Sequence, residues 1–126
     1  MFQSTKIFDG FSCCFRQWKA TTTHCRFLHG YGVSFKVTFE GKLDDRNWVW
    51  DFGGMKRAKT LIDDMQPKAW MDYMFDEATG AEKFSEFIFH KLNNFVKDET
   101  NERVQVRSVE FMEHGKNTAI YSEKYV

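Results

Sequence analysis

A stretch of strict alternation constrains the fold of this chain more than any other feature. From Val33 to Glu40, every odd position is apolar and every even position is polar. Successive side chains of a β-strand point to opposite faces, so the pattern predicts a strand with one buried face. Gly41 to Asn47 has the composition of a turn, and Trp48 to Phe52 is typical of a second short strand. Residues 33–52 therefore predict a β-hairpin.

Further strands are predicted at both ends of the chain. Phe2 to Trp18 is rich in β-forming and aromatic residues, and it predicts a long strand bent at Asp9-Gly10. Val104, Val106, Val109 and Phe111 also alternate, but with a phase slip at Arg107-Ser108 that a β-bulge explains. Residues 118–126 predict the last strand.

The middle of the chain has helical periodicity. The first helix is predicted up to a break at Pro67, and a short helix is predicted over 68–75. The second is predicted over 80–97, with Thr79 and Glu82 as a capping box. Both apolar stripes are interpreted as core rather than as cofactor-binding surfaces. They consist of Met55, Ala58, Leu61, Ile62 and Met65 and of Phe84, Phe87, Ile88, Leu92, Phe95 and Val96.

This order of elements predicts an α+β fold, with two helices packed on one face of an antiparallel sheet. The 126 residues suit a single domain spanning 1–126. No apolar run reaches the ~20 residues that a membrane-spanning helix needs, so no membrane partner is expected. The N-terminus lacks a signal-peptide pattern, and the three cysteines do not suggest a disulfide framework, so a cytoplasmic location is expected.

Charge bears on the class of partner. The chain has 18 basic and 18 acidic residues, so no general field attracts nucleic acid. Aromatic side chains among lysines and arginines are able to stack on bases, so nucleic-acid binding is one hypothesis, in addition to the two that are given below. The electrostatic requirement weighs more than the stacking, and no nucleic-acid partner is expected.

Four segments in order resemble one known family. They are Phe11 to Arg16, Cys25 to Tyr31 with the later Asp51-Phe52-Gly53, Phe75 to Glu82, and Val109 to Glu113 with Ala119-Ile120-Tyr121. The chain is similar in them to the 6-pyruvoyl-tetrahydropterin synthase and 6-carboxy-tetrahydropterin synthase family, which has the T-fold. The resemblance implies a four-stranded antiparallel sheet with two helices on one face, and a barrel formed by oligomerisation.

The resemblance also assigns roles to residues. Cys25 stands at the position of the general base and Asp76 at the Asp of an Asp-His pair. Glu113 stands at the carboxylate that binds the pterin by accepting paired hydrogen bonds. Glu110 is the nearby competitor for that role.

The zinc site that the resemblance implies is incomplete in this sequence. Family enzymes hold zinc with three histidines, and of those positions His29 is a histidine, whereas Phe15 and Tyr31 are aromatic. Three protein ligands plus water are the rule for catalytic zinc. An alternative set containing Cys14, His24 and His29, with Glu77 as a further ligand, remains open. Zinc is therefore expected weakly, with His29 and His24 as its candidate ligands.

Two functions follow from the resemblance. One is a lyase of the pterin synthase type, acting on a dihydroneopterin triphosphate-type pterin in biopterin or queuosine-type synthesis. The other is a non-catalytic T-fold homologue that binds a pterin or purine or is structural, because Phe15 and Tyr31 replace ligands. In both cases the resemblance implies self-association through sheet edges into a trimer-like or hexamer-like assembly.

Overall fold

A computed structural model describes residues 1–15, 29–51, 53–62, 81–113 and 117–123 of the chain, with the backbone alone for 10–15, 29–32 and 113. Four antiparallel strands form one sheet in the spatial order β1-β2-β3-β4. Two helices accompany the sheet, and the predicted α+β class is confirmed. The elements are β1 (Phe2–Phe15), β2 (His29–Gly41), α1 (residues 53–62), α2 (Ala81–Glu99), β3 (Val104–Glu113) and β4 (Asn117–Ser122).

The alternation of β2 has the predicted consequence. Its odd positions from Val33 to Phe39 are all buried, and its even positions are half-buried on the other face. Across the neighbouring strands, Phe35 lies opposite Phe8 on β1 and Phe111 on β3. The Phe8 and Phe35 rings stack with centroids 5.3 Å apart. One face of the sheet therefore forms the core, and the other carries mostly polar side chains.

Helix α2 covers this apolar face. It runs two residues beyond the predicted end, and its apolar stripe is buried at Phe84, Ile88, Leu92 and Val96. The Phe84 ring stacks on Phe111 of β3 at 5.3 Å. Burial of such side chains contributes roughly 1.5–3 kcal/mol each, so this stripe stabilises the helix against the sheet.

Both predicted strand irregularities are present. In β1 the register shifts between Phe8 and Phe11, at the predicted bend. In β3, Ser108 lies opposite Thr38 and Val106 lies opposite Phe39, so Arg107 is the extra residue of a bulge. The bulged strand leaves the Val106 N–H to donate to Asn93 Oδ1 of α2 at 2.9 Å. The bulge lets Val104 and Val106 face the core together with Val109 and Phe111.

The predicted hairpin over 33–52 is wrong in its second half, because residues 42–51 contain no strand. The Asp44 side chain stabilises this loop, because its Oδ1 accepts hydrogen bonds from the backbone N–H groups of Arg46 at 2.8 Å and Trp48 at 3.0 Å. Asn47 adopts a positive φ of 65°, which suits a tight turn. Val49 and Trp50 are both buried although they are consecutive, which a strand with one buried face does not allow.

The first helix begins where the loop ends. Asp51 caps it, since its Oδ1 accepts the Gly54 N–H at 2.7 Å. Trp50 then lies directly over Gly54, where an added Cβ would meet the indole at 2.3 Å. Met55, Ala58 and Ile62 are buried as predicted, whereas Leu61 is half-buried. The predicted break at Pro67, the short helix over 68–75 and the Thr79 cap lie outside the described residues.

The last strand is shorter than predicted, because it ends at Ser122 and Glu123 is outside it. The Arg107 guanidinium on the bulge donates to the Glu123 carbonyl at 2.8 Å. Among the described residues, no helix is long and apolar enough to cross a membrane.

Candidate functional site

Several positions that the sequence singles out meet at one end of the sheet. The register pairs Phe15 with His29, Cys13 with Tyr31, and Val33 with Glu113. Glu113 is therefore four residues along β2 from His29, about 13 Å at the rise of an antiparallel strand. The backbone thus brings the end of β1, the beginning of β2 and the end of β3 to a common rim.

The bulge in β3 determines which row Glu113 occupies. Val109 and Phe111 are buried opposite Val37 and Phe35, and position 113 continues that row opposite Val33. Without the extra residue Arg107, the alternation set by Val104 would place position 113 in the other row. The register of the strand is therefore the local reason that Glu113 ends the helix-side row.

The competing carboxylate Glu110 lies in the other row. Its Oε2 is 3.7 Å from Lys36 Nζ on the polar face of the sheet. Lys36 and Glu110 are also directly opposite each other in the β2–β3 register. The structure thus separates Glu110 from the row that ends at Glu113.

The remaining candidates are not brought together by the described part of the chain. His24, Cys25, Asp76 and Glu77 lie outside the described residues. In the β1–β2 register Cys14 lies opposite Gly30 and Phe15 lies opposite His29, and the alternative metal set stays a prediction. Within the described ranges, no group of three His, Cys, Asp or Glu side chains is arranged to hold a metal ion.

The Asp51-Phe52-Gly53 motif contributes to the fold rather than to this rim. Asp51 caps α1, and its other oxygen, Oδ2, accepts from the Arg46 guanidinium at 3.4 Å. The motif lies beyond Gly41, the last residue of β2, at the opposite end of that strand from His29. Its spacing from the rim is therefore set by the length of β2.

Charged side chains fasten the loop to the helices near Asp51. Arg57 of α1 pairs with Glu99 at the end of α2, and this contact raises the pKa of the Arg57 guanidinium. The pKa of the Asp44 carboxyl is held below its usual value, chiefly by the hydrogen bond from the Trp48 backbone N–H. The Arg46 backbone N–H and the positive charge of its guanidinium lower this pKa further. A polar cleft of about 320 Å³ lies between these groups. Because these charges already have partners within the cleft, the cluster serves to hold the loop.

Sequence analysis missed a groove along β1, on the helix side of the sheet. Two cavities of about 450 and 420 Å³ lie there, bordered by β1, the loop and α1. They share Lys6 and Met55 in their walls, and therefore lie next to each other along β1. A sequence signal existed in Trp48, which the hairpin prediction assigned to a strand and which is 45% exposed beside the groove.

Comparison with known proteins identifies solved structures to which this chain is similar. The chain is similar in structure to 6-pyruvoyl tetrahydropterin synthase of Caenorhabditis elegans, with a TM-score of 0.77, 20% identity, and 98% and 96% of the two chains covered. It is also similar to the uncharacterized protein WS1659 of Wolinella succinogenes, with a TM-score of 0.75, 19% identity and 98% of both chains covered. A search of curated proteins finds no match.

At 19% and 20% sequence identity, the structural similarity supports the T-fold alone. The family assignment depends on the match between the sequence and a family model. The model of the 6-pyruvoyl tetrahydropterin synthase family matches residues 5–124, which is nearly the whole chain. The predicted resemblance is thus confirmed. The chain belongs to the 6-pyruvoyl tetrahydropterin synthase family.

Proposed function

We propose that this chain binds a pterin of the dihydroneopterin triphosphate type at the rim of the sheet, with Glu113 as the anchoring carboxylate. The observation that carries the proposal is the position of Glu113 at the end of the helix-side row, within a chain that the family model covers over residues 5–124. A carboxylate offers two acceptors to the paired N–H donors of a pterin ring.

The residues present do not fit the zinc that the family implies. Of the three ligand positions, Phe15 has no donor atom and Tyr31 offers a phenol, which leaves His29 as the single imidazole. Catalytic zinc takes three protein ligands, so we derive no catalytic step through a metal. We propose instead that the lyase chemistry is altered or lost while the pterin site is kept. His24 and His29 remain the candidates for any weaker zinc binding.

The binding test compares two carboxylates on opposite faces of one strand. We expect Glu113→Gln to weaken binding of dihydroneopterin triphosphate roughly 10- to 100-fold, as for loss of a charged hydrogen bond worth about 1.5–3 kcal/mol. Glu110→Gln is the matched control, because Glu110 pairs with Lys36 on the polar face. Isothermal titration measures both variants. Equal affinities of wild type and Glu113→Gln would refute the anchor.

Turnover distinguishes the two candidate functions. Cys25 and Asp76 are the proposed base and its charged helper for a lyase that retains activity. We expect no turnover of dihydroneopterin triphosphate with zinc supplied, which favours the binding homologue with aromatic Phe15 and Tyr31. Zinc-dependent turnover that Cys25→Ser abolishes would instead establish the lyase. Metal content per subunit, measured by mass spectrometry, reports whether the site is rebuilt.

We further propose that copies of the chain associate through their sheet edges. Natural proteins protect exposed edges with charges or proline, yet β4 (Asn117–Ser122) contains neither. Ile7 on β1 and Ile120 on β4 are 54% and 62% exposed. Four alternating strands make the two edge strands antiparallel, so one copy's β4 is able to continue the ladder beyond another copy's β1. Light scattering tests this, and a monomer at all concentrations contradicts it.

A further inference from the structure

Position 113 has one directly opposite neighbour on each adjoining strand. These neighbours are Val33 of β2 and Asn117 of β4. Residues at directly opposite positions have Cβ atoms about 4.5–5.5 Å apart and share one face of the sheet. The Val33 side chain is apolar and buried, whereas Asn117 is exposed and carries a carboxamide. Of these two neighbours, Asn117 alone is able to form a side-chain hydrogen bond with a carboxylate at position 113.

The burial pattern of β4 places Asn117 on the helix side of the sheet. Ala119 is buried directly opposite Phe111 of the core, whereas Ile120 is exposed on the other face. Alternate residues of a strand share a face, so Asn117 is on the same face as Ala119. The first residue of β4 and the last residue of β3, Glu113, therefore lie side by side where the sheet ends.

The next row inward from the rim is apolar. Phe111 lies two residues before Glu113, and its ring stacks on Phe84 of α2 with centroids 5.3 Å apart. Beside it, Ala119 has only a methyl side chain and is buried. The side chains of this row therefore offer a flat ring apolar surface but no hydrogen-bond donor. Side-chain donors that would orient a carboxylate at position 113 have to come from the rim itself.

We propose that Asn117 is a positioning residue for Glu113. Its carboxamide N–H donates to one carboxylate oxygen and fixes the plane in which the carboxylate meets the pterin. An ionised carboxylate has about four lone-pair sites, so this bond leaves acceptors for the paired N–H donors of the ring. Because Asn is neutral, it orients the carboxylate without an ion pair that would compete with the ligand. This inference rests on the pterin binding proposed above and deepens it.

Three substitutions at position 117 distinguish a hydrogen bond from a packing role. Asn117→Ala removes the donor, and we expect it to weaken binding of dihydroneopterin triphosphate about 3- to 10-fold. Asn117→Asp keeps the shape but places like charges directly opposite each other, so it should weaken binding more than Asn117→Ala does. Asn117→Ser keeps a hydroxyl donor and should recover part of the affinity. The matched control is Thr118→Ala, because Thr118 is exposed opposite Met112 on the other face.

A double-mutant cycle shows whether Asn117 acts through Glu113. In a Glu113→Ala background, the group that Asn117 orients is gone. We therefore expect Asn117→Ala to weaken binding there less than about twofold, which makes the two losses non-additive. Isothermal titration measures the four proteins of the cycle. Thermal unfolding of each variant should give the Tm of the wild type, since Asn117 is exposed.

The outcomes separate this inference from the function on which it rests. Additive losses in the cycle show that Asn117 acts independently of Glu113, and they overturn the inference. Equal affinities of wild type and Asn117→Ala, or of wild type and Asn117→Asp, overturn it as well. In each of these cases, weaker binding by Glu113→Gln still supports the anchoring carboxylate. A wild type that does not bind the pterin, or Glu113→Gln binding as tightly as wild type, overturns the proposed function and this inference together.

Discussion

Asn93 offers a sharp test of how the helix layer supports the sheet. Its Oδ1 accepts the Val106 N–H at 2.9 Å, and Val106, beside the bulge, is 2% exposed. Replacement by Leu removes the acceptor and leaves a buried donor unsatisfied, which costs about 1–3 kcal/mol. Leu is a better helix former than Asn by roughly 0.5 kcal/mol, and this gain offsets part of the loss. We therefore expect a net loss of about 0.5–2.5 kcal/mol in the free energy of unfolding.

The assay is thermal and urea unfolding at one fixed protein concentration, because assembly shifts apparent stability by mass action. For a chain of this length, ~1 kcal/mol corresponds to about 3–6 °C in Tm, interpolating between smaller and larger domains. Asn93→Asp is the matched control, since it keeps an oxygen at the same place. Hydrogen exchange at the Val106 amide should accelerate in the Asn93→Leu variant. Equal stability of Asn93→Leu and the wild type, or equal losses for the two variants, would refute the reasoning.

Two further predictions concern the loop and α1. Gly54→Ala should lower the free energy of unfolding by about 1–3 kcal/mol, because the added Cβ would overpack against Trp50. Gly53→Ala is the milder control, since its added Cβ meets nothing closer than 3.4 Å. Urea titration measures both variants, and a stabilised Gly54→Ala would contradict the close contact. The pKa of Asp44 is lowered chiefly by the Trp48 N–H, so its contribution is present above the unfolded pKa near 3.8 and is lost as the pH falls through the folded value. Asp44→Asn should therefore be less stable than wild type at pH 6 and approach it in Tm as the pH falls below 4; a gap that widens in acid would show the opposite sign.

The sequence predicted those parts of the fold that depend on local periodicity. Alternation at Val33 to Glu40 identified the buried row of β2, and the phase slip at Arg107-Ser108 identified the bulge, because hydrophobic phase is visible in one chain. The prediction of a second hairpin strand was wrong because backbone N–H groups donate to the Asp44 side chain and turn the chain into a loop. Such hydrogen bonds produce no periodic pattern in the sequence. The helix that contains Phe84 to Val96 was predicted correctly because its apolar stripe extends over several turns and lies on one face of the helix.

The site was less accessible to sequence analysis for a different reason. The row occupied by Glu113 depends on strand register, which combines the hydrophobic phase of β3 with its pairing to β2. Sequence analysis left Glu110 and Glu113 as competitors and did not use the alternation of Val109 and Phe111 to separate them. The groove along β1 depends on the fold of residues 42–51, and therefore was lost together with the hairpin error. A pocket shared between copies of a chain has no signature in one sequence, and Cys25 and Asp76 stay predictions.

The seam between β2 and β3 has a consequence for how the chain reaches its structure. These strands are neighbours at the centre of the sheet, yet the chain from Gly41 to Val104 separates them. By contrast, α2, β3 and β4 follow one another closely and share the stack of Phe84 on Phe111. Closing a long loop delays distant contacts relative to local ones. We expect α2-β3-β4 to form early as a unit, and folding to be complete when β2, already paired with β1, closes the central seam.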